Sequence, residues 1–308
     1  MTKTSIEWTD ETWNPVTGCD KVSPGCDNCY AEGIANRFAG TPQFPNGFGV
    51  TLRPDRLDQP FHWRKPRRVF VNSMSDLFHD DVPDEFIARV WMTMHIASEH
   101  TFQILTKRPG RMRSWVERWT SGRIPHPDTG HAVPGRVVAP NIWLGVSAEN
   151  QHWANVRIPL LLDTPAAVRF LSAEPLLGPI DIFANSRIDR DPGLDWVIVG
   201  GESGRGARPM HPNWVRMLGS ECDRTGIAFL FKQWGEWAPL ESATWPMGDV
   251  WANPQRHRWV DHQTGESKPF GAFTGVDDSG WALMHRVGKK VAGRELDGRT
   301  WDQFPAVS

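Results

Sequence analysis

The stretch RVFVNSMSDLFHDDVPDEFIARVWMTMHIASEHTFQILT, residues 68–106, contains two short apolar runs on either side of a longer segment with helical periodicity. The runs at 68–73 and 101–106 are rich in β-branched and aromatic residues, which favour strands. Between them, apolar residues recur at 86, 87, 90, 94 and 97, and this spacing predicts a helix over 83–100. A strand, a helix and a second strand in this order predict one parallel βαβ unit.

The same alternation continues on both sides of this unit. We predict further strands at 141–147, 168–174, 195–201 and 227–234, and helices at 111–119, 151–162 and 211–226. A first strand near 13–18 and a helix at 31–38 complete the pattern. The runs are apolar throughout, as in buried parallel strands. The expected fold class is therefore α/β, a partial (β/α) barrel of about six or seven parallel strands over residues 1–235.

Two segments fall outside this alternation. Residues 236–308 are interpreted as a C-terminal cap packed on the barrel, with a hairpin around Thr264 and Gly265. Residues 121–140 are rich in Gly, Pro and His and are long for a loop, so we interpret them as a mobile lid.

The composition is that of an ordinary globular chain, with 39% hydrophobic residues, 23% charged residues and a formal net charge of −2. A globally basic nucleic-acid-binding protein is therefore not expected, although a local basic patch is compatible with these numbers. The first 13 residues lack an apolar signal-peptide core, and no apolar run is long enough to span a membrane. We expect a cytoplasmic protein with no membrane partner, where clustered cysteines bind metal more often than they form disulfides.

Polar residues follow each predicted strand. Because the carboxyl ends of parallel strands lie at one edge of a sheet, these residues are expected to meet there, where ligands bind. Helix capping explains the serines and Asp76, but it explains Lys107, Glu174 and Glu202 poorly. The candidate residues are Ser73, Ser75, Asp76, Lys107, Ser147, Glu149, Asn150, Glu174, Gly200, Gly201 and Glu202.

Three of the four cysteines, Cys19, Cys26 and Cys29, lie in a loop (18–30) after the first predicted strand, with C-x6-C-x2-C spacing. A disulfide would leave one thiol over and conflicts with the expected compartment. A zinc site would need a distant fourth ligand, such as His62 or His79. An iron–sulfur cluster would keep one iron open, because Cys222 is predicted at the opposite end of the barrel as a buried residue.

These features resemble the radical S-adenosylmethionine superfamily, and within it the photoproduct-lyase-like branch. The motifs that carry this resemblance are Asn14-Pro15, Gly18-Cys19, Cys26, Cys29-Tyr30-Ala31, Ser75-Asp76, Thr106-Lys107 and Glu174-Pro175. Most closely, the chain resembles a phage- and prophage-associated family with a three-cysteine motif and no established activity. The segments that carry that likeness are SIEWTDETWNPVTGC, VNSMSDLFHDDVP, LTKRP, LSAEPLLGPI, VIVGGESG and GKKVAGRELDG. Two features depart from the superfamily pattern: six residues separate the first two cysteines, and Asn28 replaces the usual aromatic.

The resemblance implies that Cys19, Cys26 and Cys29 hold a 4Fe–4S cluster that binds S-adenosylmethionine. It implies reductive cleavage to a 5′-deoxyadenosyl radical, with an electron donor such as flavodoxin or ferredoxin. The expected contacts are Ser73, Ser75 and Asp76 at the methionyl amino group, Lys107 or else Arg108 at the carboxylate, and Glu149 or Asn150 at the ribose. Ser147, Gly200 and Gly201 are further candidates for cofactor binding. Glu174 and Glu202 are assigned to the substrate, and Tyr30 to a radical relay or to packing beside the cluster.

The substrate is less clearly indicated. Residues 61–70 and 111–119 interleave basic and aromatic residues, as single-strand nucleic-acid surfaces do, so a nucleic acid or a nucleotide is one expectation. A peptide or a small metabolite is the other. A non-enzymatic zinc module that binds nucleic acid or protein stays open as a different class of function.

Overall fold

The computed structural model describes residues 4, 6–131, 138–185, 193–240, 252–272 and 280–306. Seven parallel strands form one sheet in chain order, and the sheet curls into a half-barrel, so the predicted fold class is confirmed. The strands of this sheet are β1 (Glu11–Trp13), β4 (Arg68–Val71), β5 (Thr101–Thr106), β6 (Ile142–Ser147), β7 (Val168–Ala173), β8 (Trp196–Gly200) and β9 (Ala228–Gln233). Between β1 and β4, the strands β2 (Val16–Thr17) and β3 (Thr51–Leu52) form a separate antiparallel pair.

The first strand lies earlier in the chain than the sequence suggests. Its last residue, Trp13, pairs with Val71 of β4, whereas the predicted continuation to residue 18 leaves the sheet. Pro15 has no N–H to donate to a ladder, and this breaks the strand. Val16 then donates its N–H to the side chain of Asn72 and begins β2.

The helices lie close to their predicted positions. They are α1 (Tyr30–Arg37), α2 (Asp84–Ile96), α3 (Pro109–Thr120), α4 (Gln151–Leu162) and α5 (Pro212–Thr225). The five apolar positions that predicted α2 are all buried; four lie in the helix and the fifth, Ala97, caps its C-terminus. Helix α5 ends at Gly226, whose φ of 73° favours glycine because a side chain is strained there.

An aromatic cluster fills the lower part of the half-barrel interior. The rings of Trp8 and Phe70 lie 4.5 Å apart, and Trp8 also contacts Trp196 edge to face. Phe170 lies so close to β6 that a Cβ on Gly145 would be 2.4 Å from its ring. Trp8 and Phe70 also line a cavity towards the carboxyl ends of the strands, where the polar residues lie.

The chain after β9 forms an antiparallel sheet of β10 (Trp237–Pro239), β11 (His257–Asp261), β12 (Ser267–Pro269) and β13 (Trp281–Arg286), followed by α6 (Lys289–Ala292). Strands β11 and β12 pair across Thr264 and Gly265, so the predicted hairpin is confirmed. Trp214 of α5 donates its indole N–H to the carbonyl of His262, which joins this sheet to the barrel. The domain boundary at 235 stays a prediction.

The described residues of the loop at 121–140, which are 121–131 and 138–140, lie at the edge of the sheet opposite the polar strand ends. The loop runs from the end of α3 to the beginning of β6, and residues 132–137 lie outside the described residues. The lid prediction is therefore wrong for the described part of this loop. Among the helices of the described ranges, none is long and apolar enough to cross a membrane.

Candidate metal centre and cofactor cavity

A cavity of about 280 Å³ opens at the carboxyl edge of the sheet, near the lower end of the range for small-molecule sites. It is lined by twelve of the residues singled out in the sequence, namely Cys19, Cys26, Cys29, Tyr30, Ser73, Ser75, Asp76, Lys107, Ser147, Glu174, Gly201 and Glu202. Glu149, Asn150 and Gly200 do not line it. The structure thus brings most of the candidate residues to one place.

The three cysteines reach the cavity from one tight loop. Gly18, at a φ of 90°, precedes Cys19, and the backbone of Phe48 and Gly49 approaches so closely that a Cβ on Gly18 would clash. Cys26 ends a short 3-10 turn and Cys29 caps the N-terminus of α1. All three side chains are partly exposed.

The three sulfurs do not lie as close together as the ligands of a single bound metal ion do. Tetrahedral Zn–S bonds of about 2.3 Å would place two sulfurs roughly 3.8 Å apart. Among the described residues, the group of ligand atoms that lie within 4.8 Å of one another is Asp20, His79 and Asp81, and the three cysteines do not form such a group. A multinuclear cluster spreads its thiolate ligands over several iron atoms, which suits this wider arrangement.

His79 acts on the cysteine loop by holding Asp20. Its Nδ1 accepts the N–H of Asp81 at 3.1 Å, so in the neutral ring Nε2 carries the proton. Nε2 lies 3.1 Å from the carboxylate of Asp20, the neighbour of Cys19. Neither His79 nor His62 lines the cavity, so neither provides the fourth ligand that a zinc site would need.

Asp76 holds the first cysteine in place through Arg108. Its carboxylate accepts hydrogen bonds from the hydroxyl of Thr106 and the N–H of Lys107, and pairs with Arg108 at 3.2 Å. The same guanidinium nitrogen lies 3.4 Å from Sγ of Cys19. Burial and the Asp76 carboxylate raise the pKa of the Cys19 thiol above its usual value, although Arg108 opposes this shift.

Glu149 supports the middle of the cysteine loop from a buried position. It pairs with Arg157 of α4 at 3.0 Å, and both side chains are 1% exposed. Its other oxygen accepts the N–H of Gly25 at 3.1 Å, and a Cβ on Gly25 would lie 3.2 Å from that carboxylate. Asn150, also predicted at the ribose, accepts the N–H of Trp153 and caps α4.

Glu202 supports the far end of the loop through Arg208. The pair lies at 2.6 Å, and the guanidinium also donates to the carbonyl of Pro24 at 2.8 Å and to the carboxylate of Asp27 at 3.1 Å. Asn28 donates directly to Glu202 at 3.0 Å. The residue that replaces the usual aromatic therefore fastens the loop to β8.

Three arginine–carboxylate pairs thus surround the cysteine loop. Their carboxylates, Asp76, Glu149 and Glu202, follow alternate strands of the sheet, β4, β6 and β8. The sequence predicted all three carboxylates as candidate site residues. Of their arginine partners it named only Arg108, as an alternative contact for the cofactor carboxylate. Arg157 directly precedes the apolar segment IPLLL (158–162), and a charged residue at that position is a signal in the sequence. No signal in the sequence pairs Arg208 with residue 24 or 27.

Glu174 is the strand-end carboxylate that faces the cavity without holding the loop. It pairs with Lys232 at 2.9 Å and accepts a hydrogen bond from Ser172 at 3.3 Å. Lys232 lies beside Glu174 on the cavity wall and was not among the sequence candidates. Gly200 gives Glu174 room, since a Cβ there would lie 2.6 Å from its carboxylate oxygen.

Lys107 is the cavity cation that stays available for a ligand. In the described part of the chain, its ammonium group has no hydrogen-bond or ion-pair partner, whereas Arg108 contacts Cys19, Asp76 and the carbonyl of Asp20. Two further cavity residues carry buried atoms without partners among the described residues: Nδ2 of Asn72, a donor, and Oε1 of Gln233, an acceptor. The sequence placed Gln233, with Lys232, at a polar strand end without assigning it a role, whereas Asn72 was missed.

The remaining candidates take part in local contacts. The Tyr30 hydroxyl donates to the carbonyl of Ser73, and burial of that hydroxyl raises its pKa, while 56% of the residue stays exposed. Ser73 donates to Asn14, and Ser75 donates to the carbonyl of Val16. The two serines therefore connect β4 to the strand that leads into the cysteine loop.

The two basic and aromatic stretches lie mainly outside the cavity. From 61–70 and 111–119, Phe70 alone lines it. Trp115 and Trp119 stack on each other in the core, while Arg111 and Arg118 both pair with Asp84. A nucleic-acid partner accordingly stays a prediction.

The fold and the cavity define the chain as a parallel α/β half-barrel with a three-cysteine loop at the carboxyl edge of its sheet. The sequence model of the family described as "Protein of unknown function (DUF5131)" matches residues 3–305, so the chain belongs to that family. No curated protein matches the chain significantly.

Solved structures of spore photoproduct lyase are similar to this chain. A cysteine-to-serine variant is 10% identical, with a TM-score of 0.42, and the match covers 88% of this chain and 71% of that one. The enzyme complexed with dinucleoside spore photoproduct is 10% identical, with a TM-score of 0.33, over 83% of this chain and 66% of that one.

Proposed function

We propose that this protein is a radical S-adenosylmethionine enzyme in which Cys19, Cys26 and Cys29 hold a 4Fe–4S cluster. With S-adenosylmethionine bound and one electron from a donor such as flavodoxin or ferredoxin, a cluster of this kind supplies a 5′-deoxyadenosyl radical that abstracts hydrogen from a substrate. The substrate lies outside this proposal.

One observation carries the proposal: three partly exposed thiols of one loop line a cavity at the carboxyl edge of a parallel half-barrel. The three sulfurs do not all lie within 4.8 Å of one another, and three thiolates would leave one iron of a four-iron cluster without a protein ligand. Cys222, the remaining cysteine, is buried in the core and does not line the cavity. A cluster held by these thiolates would keep one iron open for a cofactor bound in this cavity.

The residues of the cavity then divide into two groups. Lys107 presents a free cation to the methionyl carboxylate, and the unpaired amide atoms of Asn72 and Gln233 offer a donor and an acceptor. Glu174 and Lys232 form the wall on which a substrate would lie. Apolar residues at the inner end of the cavity, including Trp8 and Leu105, exclude water from that side.

The test is anaerobic purification followed by iron and sulfide analysis. We expect close to four irons per chain, and formation of 5′-deoxyadenosine when the reduced protein is incubated with S-adenosylmethionine. Cys26→Ala should abolish both, while Cys222→Ala, the matched control, should retain both. One zinc per chain and no nucleoside product would instead identify the zinc-module alternative.

A further inference from the structure

We propose that Arg108 raises the reduction potential of the metal centre by donating an N–H···S hydrogen bond to Cys19. This inference rests on the proposed function, because it concerns the cluster that the three cysteines would hold. It assigns to Arg108 a role different from contact with the cofactor carboxylate.

The geometry fixes the Arg108 guanidinium against the sulfur. Nη1 lies 3.4 Å from Sγ of Cys19 and 3.2 Å from the carboxylate of Asp76, and Nη2 lies 3.4 Å from the carbonyl of Asp20. The side chain is only 12% exposed, and Asp76 is itself held by Thr106 and by the N–H of Lys107. Arg108 therefore has little freedom to turn towards a ligand.

The contact is confined to one of the three cysteines. Within the described ranges, no other side chain donates a hydrogen bond to a sulfur of this loop. The other two arginines contact oxygen atoms and not a sulfur: Arg208 contacts Pro24 and Asp27, and Arg157 contacts Glu149 and the carbonyl of Ser147. A cationic donor, Arg108, therefore contacts one of the three cysteine sulfurs of the loop, that of Cys19.

Such a contact changes the balance between the two oxidation states of a cluster. Reduction adds a negative charge that is shared with the ligating thiolates, and a cationic donor stabilises that extra charge more than it stabilises the oxidised form. Because the contact is part-buried, water screens it less than it would an exposed pair. Loss of the donor should therefore make the centre harder to reduce.

The measurement is a reductive titration of the reconstituted protein, followed by electron paramagnetic resonance, at matched iron content. For Arg108→Gln we expect the ratio of reduced to oxidised centre at a fixed potential to fall about tenfold, which for one electron corresponds to about 59 mV. Arg108→Lys, which keeps a charge but loses the planar fork, should fall between this variant and the parent.

Arg208→Gln is the matched control. It also removes one guanidinium from the loop, but not one that contacts a sulfur, so its shift should be clearly smaller. Arg108→Gln also leaves the Asp76 carboxylate without its cationic partner. A second control therefore separates the loss of the hydrogen bond from this change in local charge. The double variant Asp76→Asn with Arg108→Gln keeps the net charge unchanged and should still be harder to reduce than the parent.

The outcomes are distinct. Equal shifts for Arg208→Gln and Arg108→Gln, or a normal potential in the double variant, would overturn the inference, because charge alone would then explain the effect. An unchanged potential with weaker binding of S-adenosylmethionine would overturn it too, and would make Arg108 a ligand contact. In these cases the proposed function survives. If the parent protein shows no iron–sulfur signal at all, the proposed function fails, and the inference fails with it.

Discussion

The Glu149 carboxylate pairs with Arg157 at 3.0 Å on one side and accepts the N–H of Gly25 at 3.1 Å on the other. A buried charge inside the sheet thus bonds directly to the backbone of the cysteine loop. Because Gly25 precedes Cys26, the position of that cysteine depends on an ion pair inside the barrel. Folding of the barrel and the position of the cysteine loop are coupled through this contact.

Arg157→Met should destabilise the protein by about 3–5 kcal/mol, because it leaves the Glu149 carboxylate buried without its partner. Adding Glu149→Gln should recover part of this loss, since the neutral amide still accepts the N–H of Gly25. Urea unfolding measures both. Arg113→Met is the control, because Arg113 is 37% exposed and its ion pairs are worth at most about 1 kcal/mol. Equal costs at the two sites would contradict the assignment.

Gly201→Ala should fail to fold or should lose several kcal/mol, because the new Cβ would lie 1.9 Å from the carbonyl oxygen of Trp234, a backbone atom with no room to move. Gly33→Ala is the matched change. Gly33 lies inside α1 with nothing within 4 Å of an added Cβ, so alanine should stabilise the helix by up to about 1 kcal/mol. Thermal unfolding measures both changes in stability. An unchanged melting temperature for Gly201→Ala would contradict the close contact between Gly201 and the backbone of Trp234.

The fold could be predicted from the sequence because strands that are buried on both faces of the sheet are apolar throughout, and such runs are visible locally. The strand at 101–106 and the helix at 151–162 were predicted at their observed bounds, since each is a single apolar or periodic segment between polar residues. The first strand was misplaced because it is only three residues long, and a tertiary contact, the bond from Val16 to Asn72, decides where it ends.

The candidate site was readable only in part, because strand order tells which loops meet but not which side chains pair. Asp76, Glu149 and Glu202 were correctly placed near the cysteine loop. Their arginine partners lie 32, 8 and 6 residues away, but the contacts of Glu149 and Arg208 with the loop span 124 and 181 residues, which no local pattern encodes. The Glu174–Lys232 pair was missed for the same reason.

Alkylation of the protein without bound metal should modify three of its four thiols under native conditions. Cys19, Cys26 and Cys29 are partly exposed, whereas Cys222 is fully buried, and burial raises the pKa of its thiol to about 12. The thiolate is the reactive form, so Cys222 should react only after denaturation. Mass spectrometry after iodoacetamide treatment at pH 8 counts the labels. A fourth label before unfolding would show that the packing of α5 against the sheet is looser than described.

The final prediction concerns Glu221 of α5, where burial, with a contribution from Asp181, raises the pKa of the carboxyl from 4.5 to about 7. Between these values the folded protein binds more protons than the unfolded chain, so this group makes stability fall as pH rises through that window. Glu221→Gln removes the dependence. The unfolding free energy of the variant, minus that of the parent, should therefore increase from pH 4.5 to pH 7 and level off above it. His211, whose pKa burial lowers to about 4, also makes stability depend on pH, but it is present in both proteins and cancels in the difference. Urea unfolding at half-unit pH steps tests this, and a difference that stays constant with pH would show that Glu221 is hydrated in the folded state.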